Sequence, residues 1–138
     1  MKKYMTAEAA KAAGAILVSK DQLFERADIL TIHLVLSSRT RGLVGAAELE
    51  RMKPTARLIN ASRGPIVDEQ ALISALKNKR IAGAAIDVFD TEPLPPSHPF
   101  RTLDNVLATP HIGYVSAGLY KTFYEDTVSN IRQWLDTN

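Results

Sequence analysis

One apolar run limits the folds that are open to this chain more than any other feature. Residues 28–36 read DILTIHLVL, an almost continuous stretch of aliphatic and β-branched side chains. Such a run is typical of a strand that is buried on both faces inside a parallel sheet. Because parallel strands are joined by crossover connections, usually helices, the run predicts an α/β fold.

The segments around this run alternate between β-like and helical patterns. Further strands are predicted at 15–19, 56–61, 83–89 and 105–110, and helices at 6–13, 21–27, 46–52, 69–79 and 116–135. Thr6 and Asp68 are predicted N-caps, and Gly14 is predicted to end the first helix. Alternation of strand and helix favours an open, mostly parallel sheet flanked by helices. The length of 138 residues suits one domain.

Composition excludes several classes of protein and partner. The 17 basic and 15 acidic residues give a net charge of +2, which argues against a nucleic-acid partner. No cysteine is present, which excludes disulfides and fits a reducing compartment. No apolar run approaches the roughly 20 residues of a membrane span, and the start, MKKYMTAEAAK, lacks the apolar core of a signal peptide. We therefore expect a cytoplasmic protein without a membrane partner.

The topology predicts where function should lie. In open α/β sheets, ligands bind beyond the carboxyl ends of the strands. The residues at those ends are His33, the turn 61–63, Asp87 and His111. We expect a functional site to be built from these positions.

Each of these residues also has a purely structural interpretation. His33 is more simply a satisfied structural histidine, and Asp87 needs hydrogen-bond partners or a polar ligand if it is buried within a strand. Arg63 could be a turn residue paired with Asp68 or Glu69. His98, which lies among prolines, is interpreted as structural.

A combination of three residue types carries more information than any one of them. Arg63 can bind a planar carboxylate through two parallel hydrogen bonds, which lysine cannot copy. His111 can take or give a proton near neutral pH, and Glu92 can hold its imidazole in one tautomer. This combination suits oxidation of a hydroxyl group beside a carboxylate, with the hydride passing to an external acceptor. No cluster with the spacing of metal ligands is evident in the sequence.

Four stretches resemble the NAD-dependent D-isomer-specific 2-hydroxyacid dehydrogenases. They are residues 27–45, 58–72, 82–95 and 105–114, which occur in the family's order and with their connections cover nearly the whole chain. One departure is Val35, since the family often has proline there. The resemblance implies NAD or NADP as cofactor and a small 2-hydroxy or 2-keto acid as substrate.

The resemblance also implies individual roles. Arg63 would bind the substrate carboxylate, His111 would be the general acid/base, and Glu92 would pair with His111. Asp87 would face the nicotinamide end of the cofactor. The cofactor site would further be lined by His33, Leu34, Ala61, Gly113 and Tyr114.

The G-x-G-x-x-G turn of the family's dinucleotide-binding domain has no counterpart here. The seven glycines lie at positions 14, 42, 45, 64, 83, 113 and 118, and no three of them have that spacing. By the resemblance, residues 1–138 form the second half of a Rossmann-like domain that lacks the first βαβ unit, and the substrate domain is absent. We therefore expect weak or absent NAD binding and little activity from these residues alone.

In the family's sheet, the run 28–36 lies beside the first strand of the domain. Without that strand, the edge of the run would be unpaired. We expect this edge to promote a homo-oligomer. A non-catalytic remnant that acts as an oligomerisation or interaction module is the alternative to the enzyme.

Overall fold

A computed structural model describes residues 5–137 of the chain. Within that range four strands are present: β1 (Ile29–Ile32), β2 (Arg57–Asn60), β3 (Gly83–Ile86) and β4 (Val106–Ala108). Five α-helices accompany them: α1 (Ala7–Ala12), α2 (Lys20–Arg26), α3 (Ala46–Arg51), α4 (Glu69–Lys77) and α5 (Ala117–Thr137). Short 3₁₀ turns lie at Gly64–Ile66 and Pro99–Arg101. The alternation of elements confirms the predicted α/β class.

The strands form one parallel sheet in the order β1-β2-β3-β4. Ile29 pairs with Arg57, Arg57 with Gly83, and Ala84 with Val106, so the strands run in close register. Their carboxyl ends consequently meet at one edge of the sheet, as the sequence predicted.

Local capping explains where several helices begin. The Thr6 side chain accepts a hydrogen bond from the Ala9 N–H, and the Asp68 side chain accepts one from the Ala71 N–H, as predicted. Ser19 and Gln22 form a reciprocal capping box at the start of α2. Gly14 follows α1 with φ +71, a left-handed conformation that suits glycine.

The hydrophobic core lies between one face of the sheet and helices α2, α3 and α4. It contains Leu30, Ile32, Leu58 and Ile86 from the strands. From the helices it contains Phe24, Leu49, Leu72 and Leu76, all nearly inaccessible to solvent. Along β1 and β2 the residues of even number face this core and alternate with exposed or partly exposed ones, because successive residues of a strand point to opposite faces.

The prediction that residues 28–36 form a strand buried on both faces is wrong. Only residues 29–32 are extended within the sheet, and their burial alternates. Ile29 is 63% exposed, whereas Leu30 is 6% exposed. In the described part of the chain, helices cover only one face of the sheet, so the other face of β1 meets solvent.

The predicted strand at 15–19 is also not formed. These residues are irregular, and Ile16 is 79% exposed. A strand is stabilised by hydrogen bonds to a neighbour, and within residues 5–137 no strand lies beside this segment. Apolar composition alone was therefore not enough to make this segment a strand.

The last helix, α5, forms as predicted, but its apolar face is not packed against other residues of the described chain. None of its residues is buried. Its predicted apolar positions are 40–63% exposed: Leu119, Phe123, Val128, Ile131, Trp134 and Leu135. The described residues supply no core for this helix.

Candidate functional site

His111 and Glu92 form a close pair beyond the carboxyl ends of β3 and β4. The distance from His111 Nδ1 to Glu92 Oε2 is 2.7 Å. Both side chains are a little over one-third exposed, so solvent or a ligand can reach them. With Nδ1–H donated to the carboxylate, Nε2 is left able to exchange a proton with a bound molecule. The structure thus brings together two residues that lie 19 positions apart in the sequence.

Glu92 is held by the protein as well as by the histidine. Its Oε1 accepts a hydrogen bond of 2.9 Å from the Phe89 N–H. Burial by itself raises the pKa of Glu92. The hydrogen bonds from His111 and Phe89, with the charges of His111 and Arg63, outweigh burial and lower the pKa below its ordinary value. The carboxylate is therefore kept ionised beside the imidazole.

Asp87 holds the turn that carries His111. Its Oδ1 accepts hydrogen bonds from the Thr109 hydroxyl (2.6 Å) and the Ile112 N–H (2.9 Å). Its Oδ2 accepts one from the Gly113 N–H at 2.7 Å. Among the residues described, these are the groups that the carboxylate contacts. His111 itself has φ +57, a left-handed conformation that is uncommon for residues other than glycine. The hydrogen bonds of Asp87 to Thr109 and Ile112 hold the turn on both sides of it.

The charge of Asp87 follows from those contacts. The residue is 7% exposed, and burial raises the pKa of its carboxyl group. The three hydrogen bonds and the nearby His111 outweigh burial, so the pKa lies below its ordinary value. The prediction that Asp87 needs partners if buried is confirmed. Its carboxylate binds the turn that carries His111. The role of Asp87 at the nicotinamide end of the cofactor stays a prediction.

Arg63 lies on the turn after β2, and its side chain is exposed. Its Nη1 donates to the Ser62 carbonyl at 2.6 Å, the one hydrogen bond of this guanidinium to any residue in the range 5–137. The predicted alternative, pairing with Asp68 or Glu69, does not occur: Asp68 caps α4, and Glu69 contacts His98 and the Asp90 N–H. The guanidinium is thus available to an anionic ligand.

The remaining predicted residues lie along the same edge. His33, Leu34 and Ala61 follow β1 and β2, and all three are exposed. The Ser62 hydroxyl donates to the Leu34 carbonyl, which joins the two strand-end turns. The His33 imidazole is hydrogen-bonded to the Thr31 hydroxyl, with 2.9 Å between Nε2 and Oγ1. Tyr114 follows Gly113, and its ring meets that of His111 edge-on, with the centroids 6.3 Å apart.

An open groove of about 330 Å³ lies beside these residues, between the ends of β2, β3 and β4. Ala61, Ile112 and Gly113 are among the residues that line it. Its lining is mostly small and aliphatic, with Asn60, Asp87 and Thr109 as the polar members, which suits a flat ring such as nicotinamide. A β-carbon at position 113 would come within 2.9 Å of Asp87 Oδ2, so a larger residue there would push against the carboxylate that holds the His111 turn. The described residues therefore fit the nicotinamide end of a dinucleotide, whereas no glycine-rich turn for its pyrophosphate occurs in the sequence.

The sequence interpretation missed Asn60 and the hydroxyl of Thr109. Asn60 is 1% exposed, its Nδ2 donates to the Arg63 carbonyl, and its Oδ1 accepts from the Ser62 N–H. It shapes the turn that presents Arg63. An amide at the end of the apolar strand RLIN was the available signal, because buried polar groups need partners.

His98 is bonded within the protein, as expected of a structural histidine. Its Nε2 lies 3.0 Å from Glu69 Oε1, and its Nδ1 accepts a hydrogen bond from the Phe100 N–H. Across residues 5–137, no group of three or more potential ligand side chains could hold a metal ion. The helices within that range are too short or too polar to cross a membrane.

Comparison with known proteins identifies one family. A sequence model described as the NAD-binding domain of D-isomer specific 2-hydroxyacid dehydrogenases matches residues 1–113. A glyoxylate/hydroxypyruvate reductase B from Enterobacter agglomerans is 48% identical over 111 residues, which are 80% of this chain and 34% of that protein.

Two solved structures resemble the fold closely. The crystal structure of a phosphoglycerate oxidoreductase from Vibrio cholerae O395 matches with a TM-score of 0.84 at 32% identity, over 96% of this chain and 44% of that one. A D-isomer specific 2-hydroxyacid dehydrogenase from Xanthobacter autotrophicus Py2, crystallised with NADPH and MES, has a TM-score of 0.65 at 44% identity, over 67% of this chain and 29% of that one. The chain spans 24% to 34% of the length of the first curated relatives that it matches.

Proposed function

This chain belongs to the D-isomer-specific 2-hydroxyacid dehydrogenases through their NAD-binding domain, and we propose that it carries the proton-transfer and carboxylate-binding groups of such an enzyme. The observation that supports this most strongly is the His111–Glu92 pair on the sheet edge that also carries Arg63. The reaction is interconversion of a small 2-hydroxy acid and the corresponding 2-keto acid.

The proposed roles follow from the geometry of each side chain. The Arg63 guanidinium binds the substrate carboxylate and, in reduction, draws electron density from the adjacent carbonyl. During oxidation, His111 Nε2 accepts the proton of the C2 hydroxyl, and Glu92 stabilises the imidazolium that forms. A bound nicotinamide cofactor would accept the hydride from C2 of the substrate, which would leave as the C2–H bond breaks. In reduction, His111 returns the proton to the new hydroxyl.

The proposal includes the organisation of the domain. Residues 1–138 act as the second half of a Rossmann-like domain, and the glycine-rich turn and the substrate domain are contributed by polypeptide outside these residues. NAD or NADP would be the cofactor; Asp87 would face its nicotinamide end, and the cofactor site would further be lined by His33, Leu34, Ala61, Gly113 and Tyr114. A cytoplasmic location stays a prediction.

Substrate binding can be tested without turnover. We expect millimolar glyoxylate to shift the NMR signals of the Arg63 side chain and of the His111 imidazole in the 138-residue polypeptide. Arg63→Ala should abolish the His111 response. Arg57→Ala, at the opposite end of the same strand, is the matched control and should leave it intact. An unchanged response in Arg63→Ala would contradict the proposed carboxylate site.

The lack of a glycine-rich turn among residues 1–138 predicts weak cofactor binding by these residues. The pyrophosphate has no glycine-rich turn or adjoining helix N-terminus to bind among these residues. Titration calorimetry of the 138-residue polypeptide with NAD and with NADP should therefore detect no micromolar affinity. A micromolar dissociation constant would overturn this part of the proposal.

In any form of the protein that turns over, His111→Ala should lower kcat by about 10²–10⁴-fold.

A second candidate function is that of an oligomerisation module. It is favoured by the exposed apolar residues on the uncovered face of the sheet, such as Ile29 and Leu107, and by the open edge of β1. Light scattering at high micromolar concentration should then give the mass of a dimer or larger assembly. Thr31→Lys, which places a charge on β1, should shift that assembly toward monomer; a monomer mass before substitution would exclude this candidate.

A further inference from the structure

The two turns that carry Arg63 and Glu92 are joined by contacts outside the proposed reaction site. Gly64, directly after Arg63, lies against the backbone of Phe89 and Asp90, so closely that a β-carbon at position 64 would overlap the Phe89 carbonyl group. The Arg63 turn therefore rests directly on the segment that leads to Glu92.

Glu69, in the first turn of α4, reinforces this contact with two hydrogen bonds. Its Oε2 accepts from the Asp90 N–H at 3.3 Å, and its Oε1 lies 3.0 Å from His98 Nε2. Asp90 precedes Glu92 by two residues, and His98 follows it by six. One carboxylate thus holds both ends of the loop that carries Glu92.

The tautomer of His98 follows from its second contact. Its Nδ1 accepts from the Phe100 N–H at 3.3 Å, so Nε2 carries the hydrogen that is donated to Glu69. Its ring also packs against Phe100, with the centroids 4.9 Å apart. The side chains of Glu69 and His98 are only 16% and 13% exposed, which shields the link from water.

We propose that Glu69 is a positioning residue that sets the Glu92 turn against the Arg63 turn, through the Asp90 N–H and His98. The inference rests on the proposed function, since the alignment matters only if Arg63 and Glu92 serve one substrate. Glu69 has no hydrogen bond to Glu92 or His111 and acts through the two ends of the loop, the Asp90 N–H and the His98 imidazole. When the link is lost, Glu92 leaves the Phe89 N–H and no longer holds Nδ1–H of His111.

Two readouts report the position of Glu92 without using substrate or cofactor. The first is the tautomer of the neutral His111 imidazole, measured by nitrogen-15 NMR. The second is hydrogen exchange of the Phe89 amide, which donates to Glu92 Oε1. In Glu69→Ala we expect His111 to lose its predominant Nδ1–H form and the Phe89 amide to exchange about tenfold faster or more.

Two matched variants separate positioning from a general loss of stability. Ile73→Val shortens a buried side chain of the same helix without a polar link, and it should leave both readouts at their wild-type values. Glu69→Gln retains one acceptor oxygen and should restore part of the Phe89 protection. Wild-type tautomer and exchange in a folded Glu69→Ala would overturn the proposal, as would equal changes in Ile73→Val. Failure of the proposed function would appear separately, in the glyoxylate titration of Arg63→Ala.

Discussion

The two faces of the sheet differ in how they are covered, although the same four strands supply both. On one face, Leu30 and Leu58 pack against helices α2, α3 and α4 and are nearly inaccessible. On the other, Ile29 and Leu107 are about two-thirds exposed. Parallel sheets are normally covered on both faces. Among residues 5–137, therefore, one face of the sheet belongs to a complete core and the other face is not covered.

The strongest test of this comparison is a pair of leucines, one on each face. Leu58→Ala removes a side chain that is 0% exposed and should lower the free energy of unfolding by about 2–5 kcal/mol. Leu107→Ala removes one that is 65% exposed and should change it by no more than about 0.5 kcal/mol. Urea denaturation measures both values. A large loss in Leu107→Ala would mean that this face is covered in solution.

A pair of glycines extends the comparison from the packed region to α5. Gly64→Ala would press a β-carbon into the Phe89 carbonyl group, and we expect a loss of about 1–3 kcal/mol from overpacking. Gly118→Ala, near the start of α5, meets nothing within 4 Å and should raise stability by up to about 1 kcal/mol. In thermal unfolding, the two variants should change the stability with opposite signs if α5 is free of packing at position 118. Destabilisation by Gly118→Ala would show a close neighbour there.

The third test asks whether the His111 turn behaves as part of the packed region. Asp87→Asn replaces an ionised acceptor of three hydrogen bonds and should cost about 1–3 kcal/mol at neutral pH. The folded-state pKa of Asp87 lies below its unfolded value of about 4. Its contribution is therefore complete above about pH 4 and is lost as the pH falls through the folded-state pKa.

The acid limb of the stability curve measures this effect. The difference between wild type and Asp87→Asn should be constant from neutral pH to about pH 5 and should shrink below about pH 4. Glu92, whose pKa is also lowered, contributes an acid-sensitive share that both proteins retain. A difference that grows at low pH would contradict the assignment of an ionised, hydrogen-bonded Asp87.

Much of the site followed from residue order, but its supporting contacts did not. The strand-end rule selected Arg63, Asp87 and His111 from a pattern of strands and helices, because parallel strands in register end at one edge. The link of Glu69 to Asp90 and His98 joins residues 21 and 29 positions apart. No periodic pattern carries that information, since it depends on how a helix start and a proline-rich loop meet in space.

The sequence by itself determined the alternation of strands and helices from residue 20 onward, the caps at Thr6 and Asp68, and the edge on which the chemical groups gather. These features are local: Asp68 caps α4 within three residues, and alternating strand and helix imply a parallel sheet. The tertiary structure decided which faces are buried. Residues 28–36 and α5 were apolar enough to be packed, yet Ile29 and Leu119 are exposed. Burial needs a second surface in contact with the first, and the residues in the range 5–137 do not supply one at these positions.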